Sequence, residues 1–329
     1  MTVRVAILGL GTWGRTLVAA VNGKCEPSDL IHFTHACVRD PTKHRASLTK
    51  YGLEPCSFED ALADKSIDGV AVATPHGQHY SQSRLALLAG KHVFCEKPAA
   101  LTASETEELF DIAGRNDLTF AVGFNRRFLP AVARLSQMIE SGELGTIINI
   151  EGNFSGAFGL NYEQDVWRAS DDNAPAGGLT AMGIHVIDLF IHLLGEIDSA
   201  DANAFRNVEG MHIDDTVNVS VRFKSGISGY LTTMMATPWI WRLQVFGTKA
   251  WVHMRSDTTL EMQRVVKADE RYVEREPELL TFERGNPERE ELEAFARAIQ
   301  EAADFPVRPH EVINGAFVME SAIKGTREQ

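Results

Sequence analysis

The chain has 329 residues, 44% hydrophobic and 23% charged, with a formal net charge of -13. That length supports one or two domains with full cores, and the acidic balance excludes the basic face a nucleic-acid partner requires. No apolar run approaches the roughly 18 residues of a membrane helix, so no membrane partner is expected.

The N-terminus enters a strand at once, which leaves no room for a signal peptide. Cys25, Cys37, Cys56 and Cys95 show no C-x-x-C spacing. They read as buried free thiols of a reducing compartment, so a cytoplasmic protein is expected.

Val3, Val5, Ile7 and Leu8 predict a first strand, and Arg15 to about Val21 a first helix. Between them runs Gly9-Leu10-Gly11-Thr12-Trp13-Gly14. This is G-x-G-x-x-G between strand and helix, its setting in dinucleotide-binding folds. The first glycine permits the tight turn, the second lets a pyrophosphate approach, and the third lets helix and strand pack closely. The helix N-terminus adds unclaimed N–H groups and partial positive charge. Gly9, Gly11, Thr12, Trp13 and Gly14 are therefore assigned to the cofactor.

A second strand runs from Ile31 to about Val38. At its end a carboxylate would take the ribose 2′-hydroxyl of NAD. That position holds Val38, followed by Arg39 and Asp40. A guanidinium pairs with a 2′-phosphate, so Arg39 favours NADP. Asp40, shifted in register, would instead serve NAD.

Strands and helices continue to alternate: a short helix at Asp60–Asp64, a strand at Gly69–Ala73 ended by Thr74-Pro75, and a helix at Gln78–Ala89 closed by Gly90. A strand at Val93–Cys95 then runs into Glu96-Lys97-Pro98. A charged pair leaving a buried strand needs a solvated crevice, and such crevices border the carboxyl ends of parallel strands. Thr102 and Glu105 form a capping box for a helix to about Arg115, and a last strand covers Thr119–Val122. Five strands are placed in this alternation, which fits one doubly wound parallel sheet of six. His76 and His79, just past Thr74-Pro75, read as pocket-wall or capping residues.

From Gly123 the character changes. Helices are predicted at Pro130–Glu140, Leu179–Leu194, Glu288–Ala303 and Val312–Lys324. A strand is predicted at Thr146–Asn153, and short alternating segments at Val217–Phe223, Ser228–Met234, Leu243–Phe246 and Ala250–Met254 read as an antiparallel sheet. The expected division is 1–122 and 123–329, and the fold class is α/β. An open sheet with an apolar face turned away from its helices would be covered by a partner, which predicts a homodimer or homotetramer. His185, Asp188 and His192 lie near one helix face, but no thiolate or further carboxylate cluster accompanies them, and no metal is expected.

With these landmarks in order, together with Asn125-Arg126-Arg127-Phe128, Trp167-Arg168 and Gly177-Gly178 through His185 to Asp188, the chain resembles the Gfo/Idh/MocA oxidoreductases over essentially its whole length. The resemblance implies a Rossmann domain, then an α+β domain with a large open, mainly antiparallel sheet whose outer face commonly makes the dimer. It implies hydride transfer between NAD(P) and a hydroxyl carbon of a sugar, cyclitol or related polyol. By the same resemblance Lys97 and His185 are the catalytic pair, His185 as acid/base and Lys97 in contact with substrate hydroxyl and nicotinamide. Glu96 lies near the nicotinamide ribose, with a strained or cis bond before Pro98. Thr74, Pro75, Asn125 and Arg168 join the cofactor set, and Arg126, Trp167 and Arg168 the substrate set. Many members carry Asp four residues before the histidine, where this chain has Ala181; His185 is then expected to be less basic, unless Asp188 or a loop carboxylate such as Asp165 or Asp172 substitutes. A non-catalytic nucleotide-binding regulator and a cofactor-retaining glycosidase remain as alternative functions.

Overall fold

The computed structural model describes residues 2–23, 26–162 and 175–327. The chain divides into two compact units, Met1–Asn125 with Asn286–Ala316, and Arg126–Gly285 with Phe317–Gln329.

The first unit runs β1 (Val3–Leu8), α1 (Thr12–Asn22), β2 (Ile31–Cys37), α2 (Pro41–Tyr51), β3 (Glu54–Cys56), α3 (Phe58–Ala63), β4 (Gly69–Val72), α4 (His79–Leu88), β5 (His92–Glu96), α5 (Ala103–Arg115) and β6 (Phe120–Gly123). Its six strands order as β3-β2-β1-β4-β5-β6, and all pair in parallel. The strand order reverses between β1 and β4, where ligands of such sheets bind. Val5, Ile7, Val70, Val72, Val93 and Phe94 are fully buried, as strands covered on both faces require. The sixth strand, β3, was not placed by pattern. Glu-Pro-Cys has no strand signature, and its proline is tolerated at the sheet edge. The capping box forms as expected, with Thr102 Oγ1 accepting from the Glu105 N–H at 3.2 Å.

The second unit holds α6 (Pro130–Glu140), β7 (Ile147–Ser155), α7 (Ile184–Leu194), β8 (Ile197–Phe205), β9 (Thr216–Phe223), β10 (Ser228–Met234), β11 (Ile240–Gly247), β12 (Ala250–Ser256), β13 (Thr259–Ala268), β14 (Arg271–Glu274) and β15 (Glu278–Thr281). The sheet order is β14-β13-β12-β11-β7-β10-β9-β8, with β15 on β13. It is mixed rather than purely antiparallel, because β7 and β10 pair in parallel. Strand β8 escaped the pattern search: Asp, Ala and Asn are poor strand formers, and its strand state comes from pairing with β9. Gly152 lets α7 sit against β7, since a Cβ there would come within 2.2 Å of Val186 Cγ1.

The expected helix from Leu179 is two structures. Leu179–Gly183 is a π-helical turn, and α7 begins at Ile184. The expected apolar outer face is also corrected. Inward residues such as Val219, Leu231, Leu243 and Val252 are buried, while their neighbours Ser220, Arg222, Gln244 and His253 mix with Tyr230, Phe246 and Trp251 on the other face. Burial of a continuous apolar patch is therefore not the force that would drive a dimer there.

The chain ends with α8 (Pro287–Glu301) and α9 (Pro309–Arg327). Helix α8 packs on the parallel sheet, with the Phe295 ring edge-on to Phe94 at 5.9 Å. Among the described residues no helix is long and apolar enough to cross a membrane.

Candidate active site

The turn from β1 into α1 requires its glycines for three separate reasons. Gly9 sits at φ +90, and a Cβ there would lie 2.8 Å from the Ala73 carbonyl oxygen. A Cβ on Gly14 would lie 2.0 Å from the Gly9 carbonyl oxygen, so helix and strand touch backbone to backbone. At Gly11 no atom lies within 4 Å of where a Cβ would point. Gly11 caps α1 without a side-chain hydrogen bond, and the first turn carries no acidic residue. Open backbone over an uncapped, uncontested helix N-terminus suits a pyrophosphate.

At the exit of β2, Val38 packs against the core and Arg39 is exposed. Asp40 is committed to the next helix: its Oδ1 accepts from the Thr42 N–H at 3.0 Å and from Thr42 Oγ1 at 2.5 Å, capping α2. Those bonds, led by the Thr42 hydroxyl, hold the Asp40 carboxyl below its ordinary value.

At the exit of β5 the Lys97–Pro98 peptide is cis. Glu96 is buried and Lys97 half-buried. The Trp13 indole N–H, from the glycine turn, donates to Glu96 Oε1. Burial pushes the Glu96 carboxyl up to about 7, against the opposing pull of the Lys97 charge and the Trp13 indole. His79 buttresses this corner, with Nδ1 2.7 Å from the Pro98 carbonyl oxygen and Nε2 2.8 Å from that of Thr74. Burial drives its ring toward the neutral form, while the two carbonyls favour the cation. His79, expected as a pocket-wall or capping residue, bonds two backbone carbonyls; that it ties Thr74-Pro75 to Pro98 was not legible. The Thr74 hydroxyl itself donates to Gln82 Oε1 at 2.6 Å.

Behind Glu96, Asn125 Nδ2 donates to Glu288 Oε1 at 3.0 Å. Gly123 pairs with Glu96 across the sheet, and a Cβ there would meet Glu96 Oε1 and Phe94 Cζ, each at 3.0 Å. Gly123→Ala should therefore displace the carboxylate. The expected outcome is a loss of about 1–3 kcal/mol in denaturant unfolding from overpacking, accompanied by weaker cofactor binding in fluorescence titration. Unchanged values for both would show that Glu96 has room to move.

In the second unit His185 stands at the start of α7, with the Phe154 ring 6.0 Å away. Phe154 also meets Trp239 and Trp241 at 5.0 and 5.1 Å. The Arg126 guanidinium lies over Trp241 at 3.9 Å and over Phe154 at 4.6 Å, and pairs with Asp257 at 2.7 Å. Arg126 thus reaches the aromatic cluster beside His185 while anchored by a carboxylate. The aromatic cluster itself was missed; Trp239-Ile240-Trp241 was its only local signal.

Asp188 was considered as the carboxylate replacing the one absent at Ala181. Its Oδ1 and Oδ2 accept from the buried Arg127 guanidinium at 2.6–3.0 Å, so its charge is largely answered. Ala181 lies in the π-helical turn, where the one-turn relation to His185 assumed for a regular helix does not hold. Arg127 Nη1 also lies 3.5 Å from His192 Nδ1, a fixed positive charge beside two of the three residues weighed as metal ligands. Among the described residues no group of three or more His, Cys, Asp or Glu is arranged to hold a metal. Trp167, Arg168, Asp165 and Asp172 lie outside the described residues.

Among the described residues the thiols are quiet. Cys37 and Cys56 face each other at 3.6 Å, and burial raises both. Burial pushes the Cys95 thiol up to about 12.

A parallel sheet of this order, with a glycine turn shaped for a pyrophosphate at its switch point, defines a dinucleotide-binding protein. Residues 3–124 match the oxidoreductase family with an NAD-binding Rossmann fold, and residues 132–253 match the Gfo/Idh/MocA C-terminal domain. The chain belongs to the Gfo/Idh/MocA oxidoreductase family. It is 29% identical over 206 residues to levoglucosan dehydrogenase of Pseudarthrobacter phenanthrenivorans, a match covering 55% of this chain and 53% of that protein's length. It is 29% identical over 256 residues to D-xylose 1-dehydrogenase (NADP(+)) 2 of Haloferax volcanii, covering 77% of this chain and 74% of that one. The solved structure of levoglucosan dehydrogenase in complex with NADH and levoglucosan has the same fold, with a TM-score of 0.87, 21% identity, and coverage of 100% of this chain and 98% of that one.

Proposed function

We propose that the chain is an NADP-preferring dehydrogenase that moves a hydride between the nicotinamide and a hydroxyl carbon of a sugar, cyclitol or related polyol. The observation that carries this reading is the β5 exit, where Glu96 is buried, bonded to Trp13 of the glycine turn and followed by Lys97. Oxidising an alcohol removes a proton and a hydride, and a bound nicotinamide accepts the hydride. The protein must stabilise the developing alkoxide and take the proton. As an ammonium, Lys97 does the first. Histidine is a residue type suited to the second, and His185 is assigned that role. Phe154 beside His185, and Trp239 against Phe154, offer apolar rings of the kind that receive the C–H face of a cyclic substrate. The levoglucosan and D-xylose dehydrogenases among the relatives support a sugar.

The NADP preference rests on the β2 exit. Asp40, the residue that would serve a ribose hydroxyl, caps α2, and Arg39 is exposed beside it. A charge-assisted bond is worth about 1.5–3 kcal/mol. Arg39→Ala should therefore weaken NADP binding on the order of 10- to 100-fold and leave NAD binding nearly unchanged. Equal losses for both cofactors, or tighter wild-type binding of NAD, would refute the preference. Purified protein assayed with each cofactor against a panel of sugars, anhydrosugars and cyclitols tests the activity itself, and no turnover on any of them counts against it.

A further inference from the structure

Helix α8 places a carboxylic acid in the core of the first unit. Glu291 is 0% exposed, and neither of its side-chain oxygens has a hydrogen-bond partner among the described residues. An ionised carboxylate in that position would bear its full desolvation cost.

What Glu291 lies against follows from the packing of α8 on β5. Phe295 meets Phe94. Glu96 is two residues beyond Phe94 on the same face of the strand, and Glu291 is one helical turn before Phe295. Two strand residues advance about 6.6 Å and four helix residues about 6 Å. The Asn125–Glu288 bond sets the start of α8 at the carboxyl end of the strands, so α8 runs antiparallel to β5 and this step brings Glu291 under Glu96, whose charge acts on it. Its burial, reinforced by the charges of Glu96 and Glu288, holds the Glu291 carboxyl well above the usual range. The other groups on the packed elements are bonded elsewhere: Arg4 to Ser66, Arg15 to Leu10, His32 to Asn22, His35 to Glu54 and His92 to Thr119. On α8 itself Arg289 pairs with Glu293. Cys37 and Cys95 are raised thiols. Among the described residues Lys97 is the cation that acts on Glu96.

Glu96 and Glu291 are unequal in donors. Glu96 has the Trp13 indole, the Lys97 backbone N–H and the Lys97 charge to favour its ionised form. Glu291 has none of these. We propose that Glu291 is a positioning residue of the cofactor site, a carboxylic acid kept neutral beneath Glu96 so that the negative charge of the pair stays on Glu96, beside Lys97. The protonation of Glu291 stands on the packing alone, whereas its service to the cofactor rests on the function proposed above.

Unfolded, Glu291 ionises near the ordinary glutamate value of about 4.3. Folded, burial and the neighbouring carboxylates hold its carboxyl well above that. Folding then takes up a proton throughout this window, so wild-type stability falls as pH rises through it. Glu291→Gln has no proton to take up. The Tm advantage of Glu291→Gln over wild type should grow steadily between pH 5 and pH 8, a trend that lost packing alone would not produce. Infrared spectra of glutamate-labelled wild type at pH 8 should show the carbonyl stretch of a protonated carboxylic acid, and that band should vanish in Glu291→Gln. The wild-type spectrum needs no variant to fold. For the functional half, the acid limb of kcat/KM should keep its place in Glu291→Gln, because one neutral group replaces another.

Absence of the band, its survival in Glu291→Gln, or a Tm difference independent of pH overturns the neutral acid. A displacement of the acid limb by a pH unit or more means that Glu291 carries charge in the working enzyme and overturns the positioning role. The first two readouts require no turnover, so failure of the dehydrogenase reading would be seen separately.

Discussion

Lys97→Ala should lower kcat by about 10²–10⁴-fold, the usual contribution of a positioned proton-transfer or electrostatic group, while cofactor affinity stays within a few-fold of wild type. The lysine follows the buried Glu96 and precedes the cis peptide at Pro98. His79, bonded to the carbonyls of Thr74 and Pro98, holds the surrounding backbone, so loss of the side chain should not unravel the corner. The ammonium also draws the Glu96 carboxyl downward. Without it Glu96 should titrate higher than its present value of about 7, and cofactor affinity is best compared well above that pH. Stopped-flow hydride transfer and cofactor fluorescence titration separate the two effects. Near-normal turnover would make Lys97 a surface residue of a tight turn.

Arg127→Ala should cost about 3–5 kcal/mol in denaturant unfolding, the loss expected when one partner of a buried ion pair is removed. The side chains of Arg127 and Asp188 are 2% and 4% exposed, and the guanidinium engages both carboxylate oxygens. Truncating the arginine leaves Asp188 charged inside the second unit. Replacing both, as Arg127→Met with Asp188→Leu, should recover most of the loss, because the charges and their desolvation costs vanish together. A loss under about 1 kcal/mol for Arg127→Ala would mean that water reaches Asp188. The same pair explains why Asp188 is a poor stand-in for the carboxylate absent at Ala181.

The glycine turn and the helix cap at Thr102 were largely legible because their signals are local. Gly9, Gly11 and Gly14 are demanded by one turn of six residues, and each meets the contact or open space its spacing implied. Thr102 and Glu105 cap their helix within a single turn. Asp40 shows where local reading stopped. Its carboxylate has two nearby uses, the ribose and the α2 cap, and only the folded chain shows it on Thr42.

By itself, then, the sequence determined the parallel α/β unit, the glycine turn and the Glu96-Lys97-Pro98 exit, since strand and helix periodicity and turn chemistry act over a few residues. Tertiary structure alone decided the rest. The Trp13–Glu96 bond spans 83 positions, and Arg127–Asp188 spans 61. Strand β8 is a strand because β9 pairs with it. Glu291 belongs to a helix that reads as polar-faced, yet α8 turns that carboxyl into the core beneath Glu96. The protonation of a carboxyl depends on what surrounds it in space, and neighbours in space are set by packing, not by distance along the chain.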